Sequence, residues 1–487
     1  MMDKLKMYLL AVISAFLLTI SGPGFGYSLL VYIALVPVIY GVYRYKERWF
    51  SISVTFSMLY NIVVFYWVTE TVNYFGDVNI AVRVVLLIML AGYLSIFWVL
   101  FFRIVVKVNN VFIISMVFAV IELIKGFLFT GFPWMNLGLN SLGYRPLALN
   151  AAYVGEIGVS FIIILSNILL VSIIMGYKRY LIYFIGLIII SHLAYFSLKE
   201  DYRRFEKIDV AIVQPSYNYL KKWDPNERSN VVREVLQIAD EAMKEGSSLV
   251  VLPESSFPLY IQDDERIINY FKSYSYYKGI IVGNIRYQKK DERVEVYNSN
   301  FYFNDGEIDY YDKIHLVPFG EYFPMKFITA PIQRYFFGGN NDFSEGKESK
   351  IFQFREKKIG NLICFEDAFY RRMIENVRKG AEIVVVTTND SWFGKSLGRY
   401  QHFAISMMRS IEAGRGIIRS SQSGISACIA PYGNVTAMKM INEKGVLSCD
   451  GYINKNNTIF SIIGYWWLVF LLSIAIVIEI LYRNKRR

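Results

Sequence analysis

Three side chains in the second half of the chain have the types and settings that acyl transfer requires. Glu254 ends the run Ser248-Leu-Val-Val-Leu-Pro-Glu254. Lys313 sits in Tyr310-Tyr-Asp-Lys313-Ile-His-Leu-Val-Pro-Phe-Gly-Glu321. Cys364 closes Ile359-Gly-Asn-Leu-Ile-Cys364, just ahead of Glu366. A partly desolvated carboxylate at a strand end suits a general base. An ammonium held among Tyr310, Tyr311, Ile314 and Leu316 suits the stabilisation of an oxyanion. A thiol between an apolar strand and the acidic start of a helix is favoured as thiolate by the helix N-terminus. Base, cation and nucleophile together make an acyl-transfer site. Each residue alone also has a plainer reading: an inert buried cysteine, a surface glutamate in a turn, or a lysine snorkelling along a strand edge.

The elements that would position these groups alternate between strand and helix. Strands are predicted at Ile208–Gln214, Leu249–Leu252, Gly279–Ile285, Ser299–Phe303, Ile359–Ile363 and Ile383–Thr388, with a late hairpin of Ile417–Ser421 and Ile425–Ala430. Helices are predicted at Asn226–Glu245, at Asp367–Arg378 and over 397–413. Short β-branched strands alternating with helices imply a layered α/β domain over residues 199–457. Its length, about 260 residues, fits a single domain of that class.

The flanking sequence is of another kind. Hydrophobic residues make up 54% of the 487, and the mean hydropathy is positive, which points to membrane spans. Apolar stretches near the required length occur at 7–22, 26–43, 50–69, 80–102, 108–128, 156–177 and 180–198, and an eighth at 458–482. The first, with Lys4 and Lys6 before it and Ser21-Gly-Pro-Gly after it, also reads as a leader peptide. The division implied is a seven-span membrane domain at 1–198, the α/β domain at 199–457, and a last span with a basic tail at 458–487.

Charge sets the orientation. Lys4, Lys6, Arg44, Lys46, Arg48, Arg103, Lys107, Lys178, Arg179 and the tail Arg483, Lys485, Arg486 and Arg487 fall on alternate sides of the spans. The intervening loops carry little positive charge; that at 70–79 has only Glu70 and Asp77. Positive residues favour the cytoplasmic side, so both termini are expected there and the α/β domain outside the inner membrane. The loop Gly131-Phe-Pro-Trp-Met-Asn-Leu-Gly138 either seats its aromatic residues at the interface or lines a lipid entrance. Glu122 lies within a span, where an ionisable group is costly; it either serves function or has a partner in the bundle, and no role is assigned.

Composition excludes some classes. The formal charge of +11 is concentrated beside apolar runs, which speaks against nucleic acid. The three cysteines, Cys364, Cys428 and Cys449, form no CxxC or Cys/His spacing, and His192, His315 and His402 are scattered, so no metal site and no cofactor are expected. A pairing of Cys428 with Cys449 in an oxidising compartment would leave Cys364 as the odd thiol.

The pattern Leu-Pro-Glu254, then Asp-Lys313-Ile-His-Leu-Val-Pro-Phe-Gly-Glu321, then Cys364-Phe-Glu366 resembles the nitrilase (carbon–nitrogen hydrolase) superfamily with its Glu-Lys-Cys triad. The spans, the Gly131–Trp134 loop, Thr388-Asn-Asp-Ser-Trp-Phe-Gly394, Gln401-His402, Arg409 and Glu412-Ala-Gly-Arg415 are similar to its membrane branch, the apolipoprotein N-acyltransferases. Phe365 stands where that branch often has Tyr, Gly416 where Pro is usual, and Ser420–Gly424 replaces a turn richer in Asn and Thr. The resemblance implies an α-β-β-α sandwich, with Glu254 as base, Cys364 as nucleophile and Lys313 as oxyanion stabiliser. It further implies that Glu321 and Glu366 support the site and that Trp223, in Lys221-Lys-Trp223, stands near the entrance; a solvated charged face and a core indole are the plainer readings of these three. The partners implied are a phospholipid acyl donor and a diacylglyceryl apolipoprotein acceptor in the inner membrane. The alternatives are a membrane-tethered amidase that uses water and a non-catalytic lipid-binding or transport protein.

Overall fold

The computed structural model describes residues 2–74, 78–198, 202–217, 219–291, 293–327, 329 and 342–486. Asp77 and Arg487, cited above for charge, lie outside the described residues. The chain divides into two compact units, one of Met1–Thr69, Asn79–Glu200 and Thr458–Arg487, the other of Glu70–Val78 and Asp201–Asn457.

The first unit is helical. Among the described residues, Ile80–Lys107, Ala151–Ile174 and the helix beginning at Tyr180 are long and apolar enough to cross a membrane. The pair Ser28–Arg44 and Lys46–Val64, bent by 108°, makes a fourth candidate, and Leu5–Ser21 and Trp466–Ala475 are shorter apolar helices. Three of the predicted stretches are interrupted, that at 50–69 between the helices Trp49–Val64 and Val68–Tyr74. The one at 26–43 is a 3-10 turn, Ser28–Tyr32, followed by a helix, Val36–Arg44, that carries Pro37 in its first turn. A break in an apolar bundle leaves backbone groups to satisfy, and Asn167 does so: its amide donates to the Val31 carbonyl at 2.9 Å and accepts the Leu35 N–H at 2.9 Å. The last stretch breaks at Gly464 (φ 57°), between Ile459–Ile463 and Trp466–Arg486. The segment that also reads as a leader peptide is a packed helix of this unit, Met2–Ser21. Its Ser14 hydroxyl accepts the Val38 N–H, and its Leu18 carbonyl accepts the Asn140 amide.

The second unit is an α-β-β-α sandwich. One sheet uses β1 (Glu206–Gln214), β2 (Leu249–Leu252), β3 (Gly279–Lys290), β4 (Arg293–Asn304), β5 (Glu307–Asp312) and, at its far edge, β12 (Gly445–Ile453), in the order β12-β1-β2-β3-β4-β5. The other uses β6 (Phe352–Phe354), β7 (Lys357–Ile363), β8 (Ile383–Thr388), β9 (Gly416–Ser421), β10 (Ser426–Ala430) and β11 (Asn434–Lys439), ordered β11-β10-β9-β8-β7-β6. Apolar residues of both inner faces, including Ile212, Val251, Ile281, Ile363, Val385 and Ile418, form the central core. Helices Arg228–Lys244 and Glu265–Ser275 cover the outer face of the first sheet. Helices Tyr370–Arg378 and Gly398–Ala413 cover that of the second. Strands buried on both faces read as continuous apolar runs, as β2 and β8 do. A disulfide joins Cys428 of β10 to Cys449 of β12, across the two sheets, and leaves Cys364 as the free thiol.

Candidate active site

Glu254 stands directly after β2, where the chain turns through Ser255 in a left-handed conformation (φ 50°). The turn is pressed against β3. A Cβ at Gly283 would meet the Pro253 carbonyl oxygen at 2.5 Å and the Glu254 Cα at 2.8 Å, so that strand position needs glycine. The carboxylate is buried and held from both ends. The Asn298 amide donates to its Oε1 at 2.6 Å, and the Asn389 backbone N–H donates to its Oε2 at 2.7 Å.

Lys313 follows β5, and its own N–H donates to the Asn298 carbonyl at 2.8 Å. Its ammonium is fully buried, 3.6 Å from Glu254 Oε1 and 2.9 Å from Glu321 Oε1. Burial opposes the charge, but Glu321, Glu254 and the nearby Cys364 together hold the lysine above its ordinary range. Glu321 is set in turn by the Val317 N–H at 2.8 Å and by the second N–H of the Asn298 amide at 2.8 Å. Asn298 thus joins the two carboxylates on either side of the lysine. No motif marks it in the sequence; only its place on β4, facing Lys313, shows its part.

Cys364 directly follows β7 with φ 52°, a left-handed conformation uncommon for a side chain with a Cβ. Such outliers cost roughly 1–3 kcal/mol and gather at functional sites. The thiol is half-buried. Its charge neighbours are Glu254, Lys313 and Asp390, with the Thr388 hydroxyl in hydrogen-bonding reach. One sequence expectation is corrected here. The helix predicted from Asp367 begins only at Tyr370, and Cys364–Ala368 is a single 3-10 turn. No long helix dipole favours the thiolate. Burial pushes the thiol well above its ordinary range and the Glu254 charge adds to this, while Lys313 and Thr388 oppose it. At rest Cys364 is a thiol beside the Glu254 carboxylate.

Glu366 lies within that turn and is completely buried. It accepts the Ile314 and His315 N–H groups at 2.8 and 3.1 Å, the Ile363 N–H at 2.8 Å, and the Tyr311 hydroxyl at 2.8 and 2.9 Å. It ties the lysine segment to the cysteine turn. Burial nonetheless raises its pKa, with the backbone donors and Lys313 opposing.

Glu254, Lys313, Glu321, Cys364 and Glu366 are therefore brought together. Trp223 is exposed on the short helix Tyr219–Trp223, its ring 5.5 Å from the Lys222 ammonium. Its neighbour Lys222 reaches inward. Lys222 is buried, its ammonium donates to the Ser255 carbonyl beside Glu254, and burial pushes it down to about 7 against the pull of the Glu254 charge. In the helical unit, Glu122 has a partner within the bundle, its Oε1 accepting the Leu137 N–H at 2.7 Å. Trp134 is buried against Trp67, their ring centroids 5.6 Å apart, and lines a cavity with Glu122 and Lys125.

The chain matches the family profile described as Carbon-nitrogen hydrolase over residues 209–450, and that of the Apolipoprotein N-acyltransferase N-terminal domain over 14–169. Similar proteins include the apolipoprotein N-acyltransferase of Geobacter metallireducens, 29% identical and covering 98% of this chain and 96% of that one. Another, from Haemophilus ducreyi, is 28% identical over 86% of each. The chain belongs to the apolipoprotein N-acyltransferase family. Among solved structures, Saccharomyces cerevisiae Nit3 of the nitrilase superfamily is 20% identical, covers 51% of this chain and 90% of that one, and has a TM-score of 0.40. The Helicobacter pylori carbon–nitrogen hydrolase is 18% identical over 50% and 88%, with a TM-score of 0.39. The family pairing of an apolar helical region with a carbon–nitrogen hydrolase region makes this chain an acyltransferase.

Proposed function

We propose that the protein moves a fatty acyl chain from a membrane phospholipid to the free α-amine of a diacylglyceryl-cysteine at the N-terminus of an apolipoprotein, through a thioester on Cys364. The Glu254 carboxylate takes the thiol proton as the sulfur attacks the ester carbonyl. The resulting oxyanion is held by Lys313 and the Phe365 N–H. Collapse breaks the bond to the glycerol oxygen, Glu254 returns the proton to it, and lysophospholipid leaves. The amine then attacks the thioester, Glu254 takes its proton, a C–N bond forms, the C–S bond breaks and the thiol is restored. The step from ester to thioester to amide needs no external energy source.

The observation that carries this reading is the fully buried Lys313 ammonium, flanked by Glu254 and Glu321 and in charge contact with the Cys364 thiol. A raised thiol pKa agrees with a mechanism in which deprotonation accompanies attack. Trp223, exposed beside Lys222, is proposed to border the substrate entrance. Eight crossings, with both ends cytoplasmic and residues 199–457 on the extracytoplasmic side, are supported by the alternating positive charge and by a disulfide suited to an oxidising compartment. The purified chain, phospholipid and a diacylglyceryl peptide should yield lysophospholipid and a peptide heavier by one acyl group. Free fatty acid with unchanged peptide would instead identify a hydrolase that uses water.

A further inference from the structure

Beside the cysteine lies a second cluster that the mechanism above does not use. His402, on helix Gly398–Ala413, is buried. Its Nδ1 lies 2.7 Å from Asp390 Oδ1, and its Nε2 lies 3.0 Å from Asp367 Oδ1 and 3.3 Å from the Cys364 carbonyl oxygen. Both ring nitrogens face carboxylates. A neutral imidazole donates from only one nitrogen, so this arrangement is complete only when the ring is charged. Arg419, also buried, reaches Asp367 Oδ2 at 3.2 Å and Asp390 Oδ2 at 2.8 Å, which balances two negative charges with two positive ones.

The ring joins three parts of the chain. Asp367 and the Cys364 carbonyl belong to the nucleophile's turn. Asp390 opens the turn Asp390–Phe393, and the residue before it, Asn389, gives its N–H to the base Glu254. One side therefore reaches the sulfur-bearing residue and the other reaches the carboxylate that takes its proton. We propose that His402, as an imidazolium, is a positioning residue that locks the Cys364 turn to the Asn389–Asp390 turn and so sets the distance between thiol and base. It touches no substrate. The proposal rests on the acyl-transfer reading and deepens it.

The charged groups facing the ring are Asp367, Asp390 and Arg419. On its own helix, Arg399 binds the Ser423 carbonyl and Asn442, and Arg409 pairs with Glu412. Burial and Arg419 push the ring toward neutrality, but Asp367 and Asp390 raise it to about 9. The lock therefore holds at neutral pH and opens as the pH rises through about 9.

The test uses the detergent-solubilised full chain and iodoacetamide, which has one free thiol to alkylate, Cys364. His402→Gln keeps a polar side chain but not the charge. Alkylation should slow by about tenfold near neutral pH, since general-base assistance requires a positioned base. The ratio of wild-type to variant rates should then fall to one as the pH passes about 9, where the wild-type ring is also neutral. Equal rates at neutral pH, or a ratio that does not change with pH, would overturn the proposal; a merely structural histidine gives the second result. Should the variant fail to fold, wild-type chain with 13C-labelled histidine decides the question. One of the three histidines must titrate near 9, and its doing so only near the ordinary value of about 6.5 would also overturn it. Alkylation needs no lipid, so failure of the wild type to N-acylate a peptide would reject the acyl-transfer reading and leave this result standing.

Discussion

Each unit of the molecule buries a lysine beside two glutamates. In the helical unit these are Lys125 with the buried Glu122 and Glu156; in the α/β unit they are Lys313 with the buried Glu254 and the half-buried Glu321. The residue types are the same and their partners differ. Glu122 accepts the Leu137 N–H, and the Lys125 ammonium donates to the Trp134 carbonyl at 3.3 Å, so both fasten one loop, Gly131–Gly138. Among the described residues no free thiol lies in that unit. Around Lys313 the donors come from β4, from the Asn389 turn and from the lysine segment itself, and the lysine and a carboxylate face a thiol in a left-handed conformation. The two clusters thus differ less in residue types than in surroundings: only around Lys313 do several segments converge on a thiol with a carboxylate beside it.

Glu254→Gln keeps the shape of the side chain and removes the base, and acyl transfer should fall by roughly 100- to 10,000-fold with the protein still folded. A fall of less than about threefold would deny Glu254 that role. Glu366→Gln leaves the triad in place but forces an amide N–H to face donors from Ile314, His315 and Ile363. Leaving a buried donor unpaired costs about 1–3 kcal/mol, so the melting temperature should drop and transfer should fall less than in the Glu254 variant. Unchanged melting would contradict the tie drawn between the two segments.

Glu122→Gln is the counterpart in the helical unit. Its stability should decline by about 1–3 kcal/mol, with the rate constant for transfer within about twofold of the wild type. A rate collapse without loss of stability would make the two clusters alike in function. The smallest effect expected is on stability against pH. The folded-state value for His402, about 9, is above the ordinary 6.5, so its contribution is full below about 6.5 and is lost as the pH rises through about 9. The wild type should therefore melt lower at about pH 9.5 than at neutrality by more than His402→Gln does. Identical pH dependence in both would remove this contribution.

The sequence discloses the parts of the fold that bury apolar side chains without interruption. β2 and β8 are four and six residues of wholly buried chain, and both are legible as such. β12 is not. It is a sheet edge, mostly half-exposed until its last three residues, with Ser, Cys, Asp and Gly along it. β5, with three acidic residues in six, hides in the same way. In the helical unit the apolar stretches are evident, but the break after Tyr32 is satisfied by tertiary bonds such as those of Asn167, which hydropathy does not register. Glu254, Lys313 and Cys364 are legible because each stands in a distinctive local run. Asn298 has no such run, and its two carboxylate partners are 44 and 23 residues away. His402 falls within a motif, yet its work depends on carboxylates 12 and 35 residues distant.

The proposed mechanism requires a covalent acyl group on Cys364. Intact-mass and peptide mass spectrometry of the full chain incubated with phospholipid alone should find one acyl adduct, on Cys364, sensitive to hydroxylamine as thioesters are and discharged on addition of a diacylglyceryl-cysteine peptide. Peptide that gains its acyl group while Cys364 remains unmodified, or while Cys364→Ala transfers as well as the wild type, would contradict it.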